Sequence, residues 1–234
     1  MKYLNNTKNN KVNEVFNTVF NKYDLMNDLM SFGAHRLWKK NMIDWINPSI
    51  NTTFLDMSSG TGDLAKEFLN RVNLKAKVFC VDPNLNMINV GKKRLNKFQN
   101  IEWICSSAEK LPIKNETFDT YAVSFGIRNF KNINQSLSEA WRVLKPGGRF
   151  ICLEFSKVEN EILNKIYKTY SKTIPFLGSY IIGSREPYEY LINSIDKFYS
   201  QEELCAILKK NNFSEIEYRN LSGGIVAIHS AWKI

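Results

Sequence analysis

The sequence predicts a doubly wound α/β domain, in which a mostly parallel sheet with helices on both faces ends in an antiparallel hairpin. From residue 52 onward, short apolar runs alternate with stretches of helical period. A glycine-containing loop, SSGTGD at 58–63, directly precedes one predicted helix. The last two apolar runs are joined by Ser222, Gly223 and Gly224, which indicates a tight turn.

Length and composition are those of one globular domain. The 234 residues are 44% hydrophobic and 24% charged. No apolar run approaches the roughly 20 residues of a membrane span, and the polar N-terminus does not resemble a signal peptide. A cytoplasmic protein is therefore expected.

Charge and cysteine spacing argue against two further classes of site. The formal net charge is +9, but the sequence contains no tight basic run, so no nucleic-acid partner is expected. The four cysteines form no CxxC pair and have no metal-ligand spacing with the two histidines. We therefore expect buried free thiols and no metal site.

The first 47 residues precede the strand–helix alternation. Residues 1–11 are polar and are expected to be a flexible tail. Apolar residues at helical spacing then continue to Pro48, which predicts helices over 12–47. We interpret this segment as a lid over a bound cofactor, packed onto a single domain that spans 12–234.

Five parallel strands and three helices follow in order. The strands are predicted at 52–57, 77–81, 101–105, 118–125 and 149–155. The helices between them cover 64–72, a stretch that includes Met87 and Leu95, and 133–144, where KPGG ends the last one.

The last third of the chain departs from this alternation. Residues 158–197 are interpreted as a helical substrate insertion, interrupted at Pro175, Gly178, Gly183 and Pro187. A capping-box signal at 200–203 starts another helix, and two strand-like runs close the chain. A seven-stranded, Rossmann-like sheet with a C-terminal antiparallel hairpin is the outline of a class I S-adenosylmethionine-dependent methyltransferase.

The glycine loop and the acid before it indicate which nucleotide is bound. Gly60, Gly62 and Ala65 match GxGxx(G/A), a pattern shared by NAD enzymes and methyltransferases. Asp56 would repel the pyrophosphate of NAD but attract the sulfonium and ammonium groups of S-adenosylmethionine. The alternative interpretation of Asp56 is a carboxylate that caps the loop.

Two later positions fit the same cofactor. Asp82 follows Gly60 by 22 residues, at the end of the second strand, where a carboxylate can accept both ribose hydroxyls. Its alternative role is that of a turn residue before Pro83. Ser107 and Ala108 follow the third strand and could frame the adenine. Together the series favours S-adenosylmethionine over NAD.

Five motifs resemble one family, the quinone-biosynthesis C-methyltransferases that act on demethylmenaquinone and methoxy-polyprenyl-benzoquinol. The motifs are VFNTVFNKYDLMNDLMSFGAHRLWK (15–39), LDMSSGTGDLA (55–65), VSFGIRNF (123–130), RVLKPGGRFICLEFSK (142–157) and YRNLSGGIVAIHSAWK (218–233). The resemblance implies cofactor contacts at matching positions. These are Thr61, Asp82, Ser107, Ala108 and Ser124.

The sequence departs from the family pattern at three places. Ser58, Ser59 and Gly60 stand where the family usually has AlaGlyGly, and a serine at 59 fits only with a negative φ. Pro83 replaces an isoleucine but leaves the carboxylate before it in place. Pro187 replaces a serine, so a hydroxyl contact from that position is impossible.

The resemblance also implies the reaction, methyl transfer to a ring carbon of a reduced quinone. Arg128 and Asn129 follow the fourth strand, and we hypothesise that Arg128 stabilises the quinolate while Asn129 orients it. The alternative is that Arg128 pairs with a nearby acid to hold the loop. Tyr23, His35 and Tyr188 are candidates for the lid and substrate site.

His229, in the last strand, is expected to be structural.

A polyprenyl tail requires an apolar groove, for which the helical insertion is a candidate. The lysines of this insertion predict weak association with the inner membrane surface. A homodimer or a quinone-biosynthesis complex stays open, as does the choice between benzoquinol and naphthoquinol. The rival interpretations are a methyltransferase acting on another small molecule or on RNA, and a non-catalytic subunit of a quinone-synthesis complex.

Overall fold

The computed structural model describes residues 27, 28, 31 and 33–234. The predicted tail at 1–11, Tyr23 and most of the lid segment before residue 33 lie outside the described residues. Of the segment predicted to be a lid, the structure shows helix α1 (His35–Ile46), which packs its buried face onto the domain through Trp38, Met42 and Ile43.

A seven-stranded sheet forms the centre of the molecule, in the order β3-β2-β1-β4-β5-β7-β6. Its strands are β1 (Thr53–Met57), β2 (Lys77–Asp82), β3 (Ile101–Cys105), β4 (Phe118–Ser124), β5 (Leu144–Phe155), β6 (Ser214–Leu221) and β7 (Val226–Trp232). In this order, the first five strands, β3, β2, β1, β4 and β5, pair in parallel with their neighbours. Strand β7 runs antiparallel to both β5 and β6. The predicted fold class and hairpin are confirmed.

Six more helices follow α1 in the chain. They are α2 (Asp63–Arg71), α3 (Leu85–Arg94), α4 (Ile133–Val143), α5 (Glu161–Ile182), α6 (Glu186–Asp196) and α7 (Gln201–Lys210). The predicted capping box at α7 is present, with Ser200 and Glu203 bonded to each other's backbone N–H groups. No helix in the described part of the chain combines the length and apolar character that crossing a bilayer requires.

Both faces of the central strands β1, β2, β4 and β5 are largely buried, which explains their nearly continuous apolar runs. Successive side chains of a strand point to opposite faces. Phe54 therefore enters one core cluster with Phe68 and Trp38, while Leu55 enters the other with Tyr121. Parallel strands covered by helices on both sides have this composition.

The predicted interruptions at Pro175 and Gly178 were wrong, because α5 runs through both positions. A Cβ at Gly178 would lie 2.0 Å from the ring of Tyr188, so this glycine lets α5 and α6 pack closely. The helix ends at Gly183, which has a left-handed φ of 85°. Pro187 lies at the start of α6, where the missing N–H costs nothing.

Candidate active site

The glycine loop connects β1 to α2 at the carboxyl edge of the sheet. Gly60 has a φ of 55°, and a Cβ built on it would meet nothing within 4 Å. Gly62 has a φ of 84°, but a Cβ there would lie 2.7 Å from Leu95 and 2.9 Å from Trp103. Gly62 is therefore required for packing, and Gly60 leaves an open surface for a ligand.

The two serines of this loop satisfy the condition set by the sequence. Ser58 adopts the left-handed conformation, with a φ of 57°, and Ser59 does not. The backbone N–H of Ser59 donates to the carbonyl of Val81, which joins the loop to β2. A Cβ on Gly126 would lie 2.5 Å from that of Ser58, so the segment after β4 packs directly against the glycine loop.

Asp56 is buried, with 1% of its surface exposed. Its Oδ2 accepts a hydrogen bond from the backbone N–H of Ala65, in the first turn of α2. Burial raises the pKa of Asp56 to about 7, although the charge of Lys39 opposes the rise. The carboxylate thus has the capping contact of the alternative interpretation, and it also lies where a cation would relieve the cost of burial.

Asp82 joins the end of β2 to the glycine loop. Its Oδ2 accepts from the N–H of Gly60 at 2.9 Å, and its Oδ1 accepts from that of Asn84 at 2.8 Å. Burial raises the pKa of Asp82 to about 6, against the effect of these two bonds. Pro83 leaves the carboxylate in place, as expected.

Thr61 is tied to helix α3 by an ionic network that the sequence did not indicate. Its Oγ1 accepts from Arg94, which also pairs with Asp63. Asp63 pairs in turn with Lys39 of α1 at 3.0 Å. Burial opposes ionisation of Asp63, but Lys39 and Arg94 outweigh it and lower the pKa to about 2. The loop is thereby anchored to two helices.

The remaining predicted cofactor residues lie at the ends of β3 and β4. Ala108 is buried in the core, and Ser107 beside it is half-buried. Ser124 ends β4, and its Oγ is buried without a hydrogen-bond partner in the described structure. Such an atom calls for an acceptor or donor from a ligand.

Arg128 and Asn129 form a short 3₁₀ turn directly after β4. The Nη1 of Arg128 lies 2.8 Å from the Oε1 of Glu154 and 2.5 Å from the carbonyl of Phe125. Both side chains of the ion pair are almost fully buried. The Oδ1 of Asn129 accepts from the hydroxyl of Tyr190 at 2.9 Å. The pairing that the alternative interpretation expected for Arg128 is therefore present.

The three candidates for the lid and substrate site, Tyr23, His35 and Tyr188, differ in where the structure places them. Tyr23 lies outside the described residues. His35 is buried in α1, with its Nδ1 3.1 Å from the Oγ of Ser31, and burial lowers its pKa. Tyr188 is fully buried against Gly178, where it packs α5 against α6.

His229 has the structural environment that the sequence predicts. It is buried, and its Nε2 lies 3.1 Å from the carbonyl oxygen of Gln201. Burial lowers the pKa of His229 to about 4, so the ring is neutral at physiological pH.

The residues of this edge fit a cofactor that carries a cation. The open surface over Gly60 and the unpartnered Oγ of Ser124 leave polar groups for a ligand. Two buried carboxylates, Asp56 and Asp82, make the binding of a phosphate less favourable and the binding of a sulfonium or ammonium group more favourable. These polar and acidic groups thus fit S-adenosylmethionine better than a dinucleotide.

Fold and site together define a class I methyltransferase. A solved methyltransferase dependent on S-adenosylmethionine, from Aquifex aeolicus, superposes with a TM-score of 0.66 at 19% identity, over 89% of this chain and 97% of that one. The model of the ubiE/COQ5 methyltransferase family matches residues 4–233. The chain belongs to that family.

Two relatives support the assignment. "Ubiquinone/menaquinone biosynthesis C-methyltransferase UbiE" from Rickettsia bellii (strain OSU 85-389) is 50% identical over 236 residues, which cover 98% of this chain and 95% of that protein. The protein of the same name from Brucella anthropi is 47% identical over 95% of this chain and 87% of its own length.

Sequence reasoning missed two residues that contact the candidates Arg128 and Asn129, namely Glu154 and Tyr190. Glu154 could have been noticed as a lone acid within the apolar run FICLEF of β5. Tyr190 gave no such signal, because its contact with Asn129 depends on how α6 packs against the turn after β4.

Proposed function

We propose that this protein transfers the methyl group of S-adenosylmethionine to a ring carbon of a polyprenyl benzoquinol, a demethylmenaquinol or both. The observation that carries the proposal is the close approach of Gly126 to Ser58, by which the segment that leads into Arg128 packs against the glycine loop. The names of the relatives, which specify ubiquinone and menaquinone biosynthesis, support the same substrate class.

The cofactor would be held by the loop and the strand ends. Asp82, which also accepts from the N–H of Gly60, would accept the ribose hydroxyls, and Gly60 would let the backbone approach the ligand. Ser107 and Ala108 would frame the adenine, with Thr61 and Ser124 as further contacts. The bound cofactor supplies an electrophilic methyl group on a sulfonium, whose charge Asp56 would balance.

The acceptor must be the reduced ring. Loss of the proton from a quinol hydroxyl moves negative charge to the ortho carbon, which becomes the nucleophile. That carbon gains the methyl group as the sulfur–methyl bond breaks, and it then loses its hydrogen as a proton to restore the aromatic ring. The reaction releases one proton overall and moves no electrons to an external acceptor.

Arg128 would stabilise the quinolate, and Asn129 would orient it through its bond with Tyr190. A buried guanidinium beside the reacting oxygen acts in a medium of low dielectric, where its charge counts for more than in water. The oxidised quinone has no such nucleophilic carbon and should be inert.

The first test is an anaerobic assay with S-adenosylmethionine and short-tailed demethyl benzoquinol and naphthoquinol. We expect mass spectrometry to show a product heavier by one methylene from either or both quinols, and none from the matching quinones. Equal methylation of quinol and quinone, or no product despite binding of S-adenosylmethionine in calorimetry, would contradict the proposal. The ratio of the two products gives the ring preference.

Helix α5 supports the predicted weak association with a membrane. Its exposed apolar side chains include Ile162 (73% exposed) and Ile166 (62%), with Phe176 and Tyr180 further along. Lys165, Lys168 and Lys172 are exposed on the same helix. Basic residues beside exposed apolar ones suit a surface of anionic lipid, which would bring the enzyme to a substrate with a polyprenyl tail.

Liposome flotation tests this association. We expect binding to vesicles with anionic lipid, and weaker binding by about 1 kcal/mol for each of Lys165, Lys168 and Lys172 changed to Gln. Ile166→Glu should also weaken binding, while Ile50→Glu, at an exposed position before β1, should not. Absence of flotation both with and without anionic lipid would rule the association out.

A further inference from the structure

Glu154 is a buried acid in the otherwise apolar run FICLEF of β5. It lies in β5 between Leu153 and Phe155, with 2% of its surface exposed, and it faces Ala227 of β7 in the sheet register. Burial raises its pKa, although the charge of Arg128 opposes the rise. A carboxylate in such a place costs free energy unless it is fully paired.

All the described hydrogen bonds of Glu154 involve two neighbouring segments. Its Oε1 accepts from the Nη1 of Arg128 at 2.8 Å and from the N–H of Phe155 at 2.9 Å. Its Oε2 accepts from the backbone N–H of Arg128 at 3.4 Å. One carboxylate therefore holds both the side chain and the backbone of Arg128, at the start of the turn after β4.

The guanidinium held in this way retains an unused donor. Its Nη1 also donates to the carbonyl of Phe125, and its centre lies 5.7 Å from the ring of Phe155. The Nε of Arg128 is buried and has no hydrogen-bond partner in the described structure. An unpaired buried donor is costly, and this Nε is therefore available to an acceptor atom of a ligand.

A second unused donor belongs to Tyr167 of α5. Its hydroxyl is also buried without a partner among the described residues. Burial raises the pKa of Tyr167, and the positive charge of Arg128 opposes the rise. Tyr167 lines a cavity together with Ser156, which follows Phe155, the residue whose ring faces the guanidinium of Arg128. Two buried donors therefore remain without a partner in this part of the described structure.

We propose that Glu154 is a positioning residue, which holds Arg128 so that its Nε, together with the hydroxyl of Tyr167, donates to the quinolate oxygen. This inference rests on the proposed function. It adds the residue that orients the arginine and a tyrosine that completes the oxyanion site. Glu154 itself contacts no substrate, because both of its oxygens are occupied by the protein.

The test compares Glu154→Gln and Glu154→Asp with the wild-type enzyme. Gln keeps the length but has one oxygen, so its NH₂ group would face a backbone or guanidinium donor. We expect kcat for the quinol to fall by about 10–100-fold, since a small misplacement of a catalytic group has an effect of that size. KM for the quinol and Kd for S-adenosylmethionine should change less than threefold.

A purely structural role would not alter how the rate depends on the acidity of the acceptor. We therefore expect the loss of kcat in Glu154→Gln and in Tyr167→Phe to be largest for the least acidic quinol. It should become small for an electron-poor, halogenated quinol that ionises without help. A loss equal for all quinols, or no loss in either variant, would overturn the inference.

Glu139→Gln is the matched control, because Glu139 also pairs with an arginine and accepts a backbone N–H, but in α4. In Glu139→Gln, we expect kcat to depend on quinol acidity as it does in the wild type. In an Arg128→Ala background, Glu154→Gln should cause no further loss of kcat, whereas a further loss would overturn the inference.

Glu154→Asp keeps the negative charge on a shorter side chain, and it replaces Glu154→Gln in the test if the Gln variant does not fold. It should show the same selective loss for the least acidic quinol. Absence of methylation in the wild type would refute the proposed function instead.

Discussion

Arg128→Ala is expected to lower quinol methylation by about 10²–10³-fold, the usual effect of removing one group that stabilises an oxyanion. The same change should destabilise the fold by about 3–5 kcal/mol, because it leaves Glu154 buried and unpaired. Steady-state kinetics with a reduced quinol and urea unfolding of the same preparation measure the two effects.

A double variant separates the two roles of this arginine. Replacing the pair by Arg128→Met and Glu154→Leu removes the uncompensated charge, so most of the lost stability should return while activity stays low. Arg128→Lys keeps the charge but loses the planar fork, and it should also remain well below wild-type turnover. Near-normal turnover in both Arg128→Ala and Arg128→Lys would refute a catalytic role for this residue.

Asp56→Asn is expected to stabilise the cofactor-free protein at pH 8 and to weaken the binding of S-adenosylmethionine. The pKa of Asp56 is about 7 in the folded protein, against an ordinary value of 3.8. The folded state therefore holds this proton more tightly than the unfolded state does. Stability falls as the pH rises from about 4 to about 7, and the loss is complete above pH 7.

The size of this effect follows from the difference between the two pKa values. A difference of about 3 corresponds to about 4 kcal/mol at most, which the asparagine variant should recover at pH 8 but not at pH 4. Urea unfolding at both pH values measures it. Asp44→Asn, which removes an exposed partner of Arg71, is the control and should change stability by less than about 1 kcal/mol.

Binding of the cofactor should show the opposite dependence on pH. A cation favours the ionised carboxylate, so the affinity of the wild type for S-adenosylmethionine should rise as the pH rises through about 7. Calorimetry of Asp56→Asn should give an affinity about 10–100-fold lower at pH 8, with this part of the pH dependence removed. Unchanged affinity in the variant would show that Asp56 only caps α2.

The order of strands and helices followed from the sequence because each depends on local pattern. Strands that are covered on both faces are apolar throughout, and helices show their period within two or three turns. The glycine loop and Asp82 were equally visible, since their spacing is fixed by one strand–loop–helix unit. The family motifs added Arg128 and Asn129 as candidates before any contact was known.

The tertiary structure decided which groups meet. Glu154 and Arg128 are 26 residues apart, and they pair because β4 and β5 are neighbours in register. Asn129 meets Tyr190 across 61 residues, and α5 packs closely on α6 because Gly178 leaves room for the ring of Tyr188. Local pattern determines elements because it reflects nearby backbone and burial. Contacts between distant side chains depend on register and packing, which only the assembled fold provides.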